Sequence, residues 1–272
     1  MKKIIMIIMV IALVFSLPGC ADNAAAVKEE STIDSVLKKG TLVVGTSPGY
    51  LPFEMIDTQG NYIGYDIDTA NAIAEAMGVK LEIKQYEFSA IIGALQAGEI
   101  DMIISGMTIR GDRALAVSFA DPYFEISQSF LVPLSDTTTT KWQDLDVAGK
   151  TIAVGQGTTG ALLAKQLFKN AEIVDYEGGN VAAMAVAQEQ ADGMVYDDVG
   201  IKMFVLQQEG KLRGIYEPMS VESLGIAVKY GDSTSVDWLN AFLYGYLKNP
   251  KEIESYQKWV ESTDWLDDLA EE

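Results

Sequence analysis

Apolar and polar positions follow two rhythms along the chain. Short apolar runs at 41–46 (TLVVGT), 100–106 and 151–154 read as buried strands, and 80–87 reads as another. Between them the apolar positions recur at helical spacing. A helix is predicted from a cap at Asp66 through Ala76, with Gly78 just past its end. A shorter one is predicted from a cap at Ser89 to Gly98. The same alternation returns over 151–220, with a helix over 161–168. Two extended stretches, 124–133 (FEISQSFLVP) and 220–231 (SVESLGIAVKYG), link the halves. The first leads into the low-complexity run 135–141, and helices are predicted over 238–248 and 251–261. Strands alternating with helices of this length give an α/β fold with mostly parallel sheets. Two crossings between the halves make one lobe discontinuous.

A weak internal echo accompanies this pattern. SAIIGALQAGEIDMIISG (89–106) resembles NVAAMAVAQEQADGMVYD (180–197). Each reads as a helix, a small-residue turn, an aspartate (Asp101, Asp192) and an apolar strand, ending at Gly106 and Asp197. Generic likeness between β-α-β units explains the echo as well as two similar lobes do. In open α/β sheets ligands bind beyond the carboxyl ends of strands, so two similar lobes would set Gly106 and Asp197 across a cleft.

Charge and composition narrow the chemistry. Twenty basic residues face 39 acidic ones in a chain of 272, a net charge of −19. Such a polyanion repels nucleic acid, and the acidity is read as solubility. There is no histidine and a single cysteine. That composition excludes Ser–His–Asp and Cys–His catalysis and an intramolecular disulfide, and it removes the commonest zinc ligand. No cofactor and no metal are expected.

The first 20 residues read as an export leader: Lys2 and Lys3, an apolar run over 4–15, then Leu17-Pro18-Gly19-Cys20. The cysteine at the cleavage position resembles a bacterial lipobox, with Pro18 as a departure from the usual pattern. Cys20 is the expected lipid attachment point, and 21–32 a flexible tether.

One motif poses a choice. Gly155-Gln156-Gly157-Thr158-Thr159-Gly160 is a literal G-x-G-x-x-G between a predicted strand and a predicted helix, with Asp175 further on. A glycine-rich helix start suits a dinucleotide, but equally another anion such as a carboxylate. The setting, mid-chain in an exported protein with no other cofactor signature, favours the carboxylate.

Over 33–266 the sequence resembles the polar amino-acid family of ABC-transporter substrate-binding proteins. The matching pieces are LPFE (51–54), GYDIDTANAIAEAMG (64–78), EFSAIIGALQAGEIDMIISGMTI (87–109), RALAVSFADPYF (113–124), GKTIAVGQGTT (149–159) and DGMVYDD (192–198). The resemblance implies two α/β lobes of the periplasmic-binding-protein type, 33–125 with 224–272 and 126–223, joined by two hinge strands. It implies a monomer that closes on one free amino acid and delivers it to an ABC-transporter permease, outside the cell membrane or in the periplasm. Arg113, Thr108 and Thr159 would hold the ligand α-carboxylate, with Arg110 a rival to Arg113. Asp197, with Asp198 beside it, and the Gly106 carbonyl would hold the α-ammonium. Tyr50 and Phe88 would flank the ligand side chain, next to Ser47. Relatives that take basic ligands or glutamine carry aspartate at the position of Ser47, which points here to an uncharged polar or small side chain, unless Glu54 or Glu125 substitutes. The rival functions are a dehydratase acting on cyclohexadienyl amino acids such as arogenate, which would recruit Glu54 or Glu125 as its acid, and the sensing module of a receptor.

Overall fold

The structure, a computed structural model, describes residues 30–269. The predicted leader with Cys20, and the tether through residue 29, lie outside the described residues. Ser31 and Thr32 do not belong to the tether. Thr32 opens helix α1 (Thr32–Lys39), and the Ser31 hydroxyl caps it by accepting the Asp34 N–H at 3.1 Å.

Strand β1 (Thr41–Thr46) follows, then a small hairpin of β2 (Met55–Ile56) and β3 (Tyr62–Ile63), helix α2 (Tyr65–Met77), β4 (Lys80–Gln85), α3 (Ile91–Gln96), β5 (Met102–Ile103) and β6 (Val117–Phe119). The chain then crosses over through β7 (Phe124–Pro133). It builds β8 (Thr151–Gly155), α4 (Thr159–Leu167), β9 (Glu172–Tyr176), α5 (Gly179–Ala187), β10 (Gly193–Asp197) and α6 (Asp198–Gln207). It returns through β11 (Leu212–Leu224) to β12 (Ala227–Lys229), and helices α7 (Ser233–Tyr246) and α8 (Pro250–Tyr256) follow.

Two five-stranded sheets result, ordered β4-β1-β5-β12-β6 and β11-β7-β10-β8-β9. Both belong to one compact unit that starts at Ser31. The fold is the α/β architecture expected, with mixed sheets. Strands tied by helical crossovers pair in parallel: β1 with β4 and β5, β8 with β9 and β10. The strands at the two crossings, β6, β12, β7 and β11, pair antiparallel, because no crossover helix turns them back.

Several boundaries move for identifiable reasons. Asp66 does not cap α2; Gly64 occupies that position, and the Asp66 carboxylate turns inward to accept the Gly106 N–H at 2.7 Å. Ser89 does not cap α3, which starts two residues later with no side-chain cap. The strand expected over 100–106 shortens to β5 because Gly106 turns left-handed, at φ +50°.

The echo has structural content. Asp101 gives its N–H to the Val43 carbonyl, and its carboxylate takes the Val43 N–H at 2.7 Å and the Lys39 ammonium at 2.6 Å. Asp192 treats Thr151 and Lys150 the same way, at 2.9 and 2.6 Å. Each aspartate knits its strand to the neighbouring parallel strand near the start of the sheet.

Gly64 tests the local argument. At φ +132°, a Cβ would lie 2.2 Å from the Phe53 carbonyl oxygen. Gly64→Ala should cost about 2 kcal/mol or more in urea unfolding. Gly93→Ala, inside α3 with no atom within 4 Å of the new methyl, should instead gain up to about 1 kcal/mol.

Candidate functional site

The carboxyl ends of three strands from each sheet converge on one cavity of about 400 Å³, a size that suits a small ligand. From the first sheet come 47–50 after β1, Gln85, Glu87 and Phe88 around the end of β4, and Gly106 and Thr108 after β5. From the second come Gln156, Thr158 and Thr159 after β8, 177–181 after β9, and Tyr196 and Asp197 on β10. Ser47, Tyr50, Phe88, Gly106, Thr108, Arg113, Thr159 and Asp197 all line this cavity.

Arg113 enters it from the first sheet's side and is only 7 % exposed. Its Nη1 donates to the Thr108 carbonyl at 2.9 Å and its Nη2 to the Gly157 carbonyl at 3.0 Å, across to the second sheet. Its guanidinium carbon sits 5.2 Å from the centre of the Phe88 ring. Burial, with Arg110 adding to it, lowers the guanidinium pKa to about 10. Among the described residues no carboxylate lies within ion-pair distance of Arg113. Arg110 is instead paired with its neighbour Asp112.

Asp197 is the opposite case. It is 8 % exposed and burial pushes its pKa up to about 7. The Tyr50 hydroxyl donates to one carboxylate oxygen and the Gln128 amide to the other. Among the described residues no cation lies within ion-pair distance of it. Although α6 starts at the next residue, the Asp197 side chain does not cap it. Asp198 faces elsewhere, accepting the Ser127 N–H at 3.0 Å and pairing with Lys202 at 3.3 Å.

The remaining polar groups show which protons are already committed. The Thr108 hydroxyl donates to Glu222 at 3.0 Å. A hydroxyl has one proton, so this donor is spent on the β11 carboxylate. Thr159 Oγ1 accepts from Gln128 at 3.1 Å and keeps its own proton. Thr158 caps α4 by accepting the Ala161 N–H at 3.1 Å. The G-x-G-x-x-G therefore builds a helix start against two neighbours. Gly157 turns left-handed at φ +78°, and a Cβ on Gly160 would sit 2.8 Å from the Val195 carbonyl and 2.9 Å from Gln128 Oε1.

Beneath the cavity lies a buried acid pair. Glu54 Oε1 accepts the Ser105 hydroxyl at 2.6 Å, and Ser105 Oγ accepts the Ser47 N–H at 3.0 Å. Asp66 holds the Gly106 N–H and the Tyr123 hydroxyl. Burial pushes Asp66 up to about 6, and burial plus the Asp66 charge pushes Glu54 well above the usual carboxylate range. Glu54 Oε2 is buried and no donor reaches it. A proton held between the two acids would satisfy that atom. Glu125 is exposed on β7 and lines no part of the cavity.

Three features escaped the sequence reading. Gln128, buried in an apolar strand, ties Asp197 to Thr159. Tyr50, expected beside a ligand side chain, puts its hydroxyl on Asp197. Tyr196 packs edge-on against Tyr50, with ring centres 5.6 Å apart. The one available signal was a glutamine at a core position of β7.

Residues 42–262 match the bacterial extracellular solute-binding proteins, family 3. A glutamine-binding protein of an ABC transporter in Bacillus subtilis is 30 % identical over 88 % of this chain and 85 % of its own. An arginine-binding periplasmic protein of Mannheimia haemolytica is 29 % identical over 80 % of this chain and 90 % of its own. Among solved structures, an ancestral amino acid-binding protein described as a precursor of cyclohexadienyl dehydratase superposes with a TM-score of 0.80. It is 35 % identical, over 85 % of this chain and all of that one. The chain belongs to family 3 of the bacterial extracellular solute-binding proteins.

The acid pair carries a sign. Both acids hold protons more tightly folded than unfolded, so their contribution to stability is greatest at low pH and falls as pH rises from about 4, through about 6 for Asp66 and to higher pH for Glu54. Glu54→Gln removes one of the two titrating groups. Its stability relative to wild type should therefore improve between pH 5 and pH 8 in urea titrations; parallel pH profiles would refute the shared proton.

Proposed function

We propose that this chain captures one free amino acid between its two sheets and delivers it to an ABC-transporter permease. One observation carries the reading: a buried guanidinium with no carboxylate partner and a buried carboxylate with no cation partner among the described residues line the same cavity. Uncompensated buried charge is costly, and a zwitterion compensates both groups at once. Arg113 takes the α-carboxylate with a flat fork of donors. The Thr159 hydroxyl and the Thr108 backbone assist. Asp197 takes the α-ammonium, with the Gly106 carbonyl beside it. Phe88 and Tyr50 wall the space next to Ser47.

The two lobes are 33–125 with 224–272, and 126–223. Sheet membership supports this division, and so does the antiparallel ribbon of β7 and β11, which leaves the first lobe at Phe124 and Leu224. A ligand held from both lobes shifts the hinge equilibrium toward closure. The family is extracellular or periplasmic. An acylated Cys20 would hold this member at the membrane, a reading that rests on the leader pattern.

Binding suits the cavity better than dehydration does. The acid a dehydratase needs would be Glu54, yet its carboxyl faces Ser105 and Asp66, while Glu125 is outside. Turnover of a cyclohexadienyl substrate by the purified chain would reverse this preference.

Two results test the assignments in calorimetric titrations. Arg113→Ala should fold and lose about 3–5 kcal/mol of amino-acid binding, the scale for stranding a buried partner; wild-type affinity would remove Arg113 from the site. Protons compete with the ammonium for Asp197. The Kd should therefore rise as pH falls below about 7, approaching tenfold per unit, and deaminated analogues should lack that rise.

A further inference from the structure

One buried side chain behind the cavity is polar where packing asks for an apolar one. Gln128 lies on β7, the strand that carries the chain from the first sheet into the second, and it is fully buried. Phe130, Leu131 and Val132, further along the same strand, are buried and apolar. Gln128 pairs with Asp197 in the β7–β10 ladder and with Ser220 in the β7–β11 ladder, next to the break in the β11 register between Ile215 and Ser220. Both amide protons are spent: Nε2 donates to Asp197 Oδ1 and to Thr159 Oγ1. The amide oxygen is buried, and among the described residues no donor reaches it. A buried carbonyl without a donor is destabilising, so the residue is not there for packing alone. Turning the amide over would set its oxygen against the Asp197 carboxylate and lose both bonds, which leaves one usable orientation. Gly160 makes room for it, since a Cβ there would lie 2.9 Å from Gln128 Oε1.

We infer that Gln128 is a positioning residue that aims both receptor groups of the second lobe, Asp197 at the ligand ammonium and the Thr159 hydroxyl at the ligand carboxylate. The inference rests on the binding function proposed above. A hydroxyl has one proton and two lone pairs. Because Thr159 Oγ1 accepts from Gln128, its own proton is left to donate into the cavity that Thr159 lines. At Asp197 the same nitrogen holds one carboxylate oxygen while the Tyr50 phenol holds the other. Each of these bonds favours the charged carboxylate and works against its burial. The other charged and titratable groups around Asp197 are Glu222 on β11, Asp198 on α6, Arg113 and the Tyr196 phenol. A change at Gln128 alters none of them. Gln128, Asp197 and Thr159 sit on β7, β10 and α4, within one lobe, whereas the Tyr50 bond crosses between lobes. The amide therefore orders its two partners before closure, and a ligand does not have to.

Calorimetric titrations from pH 5.5 to 8.5 test this with Gln128→Met, which keeps the length and removes both donors. The probe is whichever of the twenty amino acids the wild type binds tightest. Without the amide Asp197 takes up its proton more readily, so the pH below which Kd rises should move up by about half a unit or more. Thr159→Val supplies the second readout. In the Gln128→Met background its cost should shrink about threefold or more, because the hydroxyl is no longer aimed. A residue that served only packing would weaken binding equally at every pH and leave the Thr159 loss unchanged. Where Gln128→Met fails to fold, Gln128→Glu carries the test: it keeps the shape, sets a second acid against Asp197, and should move the pH profile in the same direction. An unmoved pH profile, or losses at Gln128 and Thr159 that simply add, would overturn the inference while leaving amino-acid capture intact. A wild type that binds none of the twenty amino acids would overturn the capture function and this inference with it.

Discussion

Everything at the cavity depends on two buried charges that no described residue pairs. Arg113 is held by two carbonyls, and Asp197 by a phenol and an amide. Carbonyl and hydroxyl dipoles stabilise such charges only in part, and each pKa moves toward the neutral form in consequence. A protein optimised for stability alone would pair them or replace them. Held apart, they set a positive group on the side of the first sheet and a negative group on the second. The fold supplies that separation, because each sheet sends the carboxyl ends of its parallel strands toward the other.

The floor solves the reverse problem. Glu54 and Asp66 are also buried carboxyl groups, and burial makes each hold its proton more tightly than a free acid does. Their hydrogen bonds run upward through Ser105 to the Ser47 N–H and through Asp66 to the Gly106 N–H. Both donors belong to residues that line the cavity. The Gly106 turn is held from above too, since a Cβ there would lie 2.1 Å from the Tyr50 ring. Acids of one chemical type thus sit in two environments: a pair in the floor that holds protons tightly, and a single carboxylate in the wall that no described residue pairs.

The legible part of the sequence was the part with local causes. Glycine at helix ends, apolar runs at strand length and the order of elements follow from short-range rules, and they located β1, β7, β8 and the strand ends that meet. The cavity residues were legible through the resemblance, whose motifs cluster at those same strand ends. Long-range commitments were not legible. Asp66 has the spacing of a cap, yet the Gly106 N–H forty residues away outcompetes the local one. Gln128 reads as one polar residue in an apolar strand until the second sheet brings Asp197 and Thr159 to its amide. The antiparallel halves of the sheets follow from the two crossings, and a reading tuned to β-α-β units does not weigh those.

The contacts that already cross between the lobes say what a ligand must achieve. Tyr50 from the first lobe donates to Asp197 on the second, and Arg113 donates to Gly157. Under the proposed function, an α-ammonium arriving at Asp197 would compete with the phenol for a carboxylate oxygen. An α-carboxylate arriving at Arg113 would likewise compete with the Gly157 carbonyl for a guanidinium N–H. The number of hydrogen bonds changes little in that exchange. Their character changes, since a neutral donor or acceptor gives way to a charged one, and charge-assisted bonds are roughly twice as strong. A ligand shifts a conformational equilibrium only by its difference in affinity for the two states. Here that difference resides in charge, because the neutral hydrogen bonds of closure are ones the protein can make by itself.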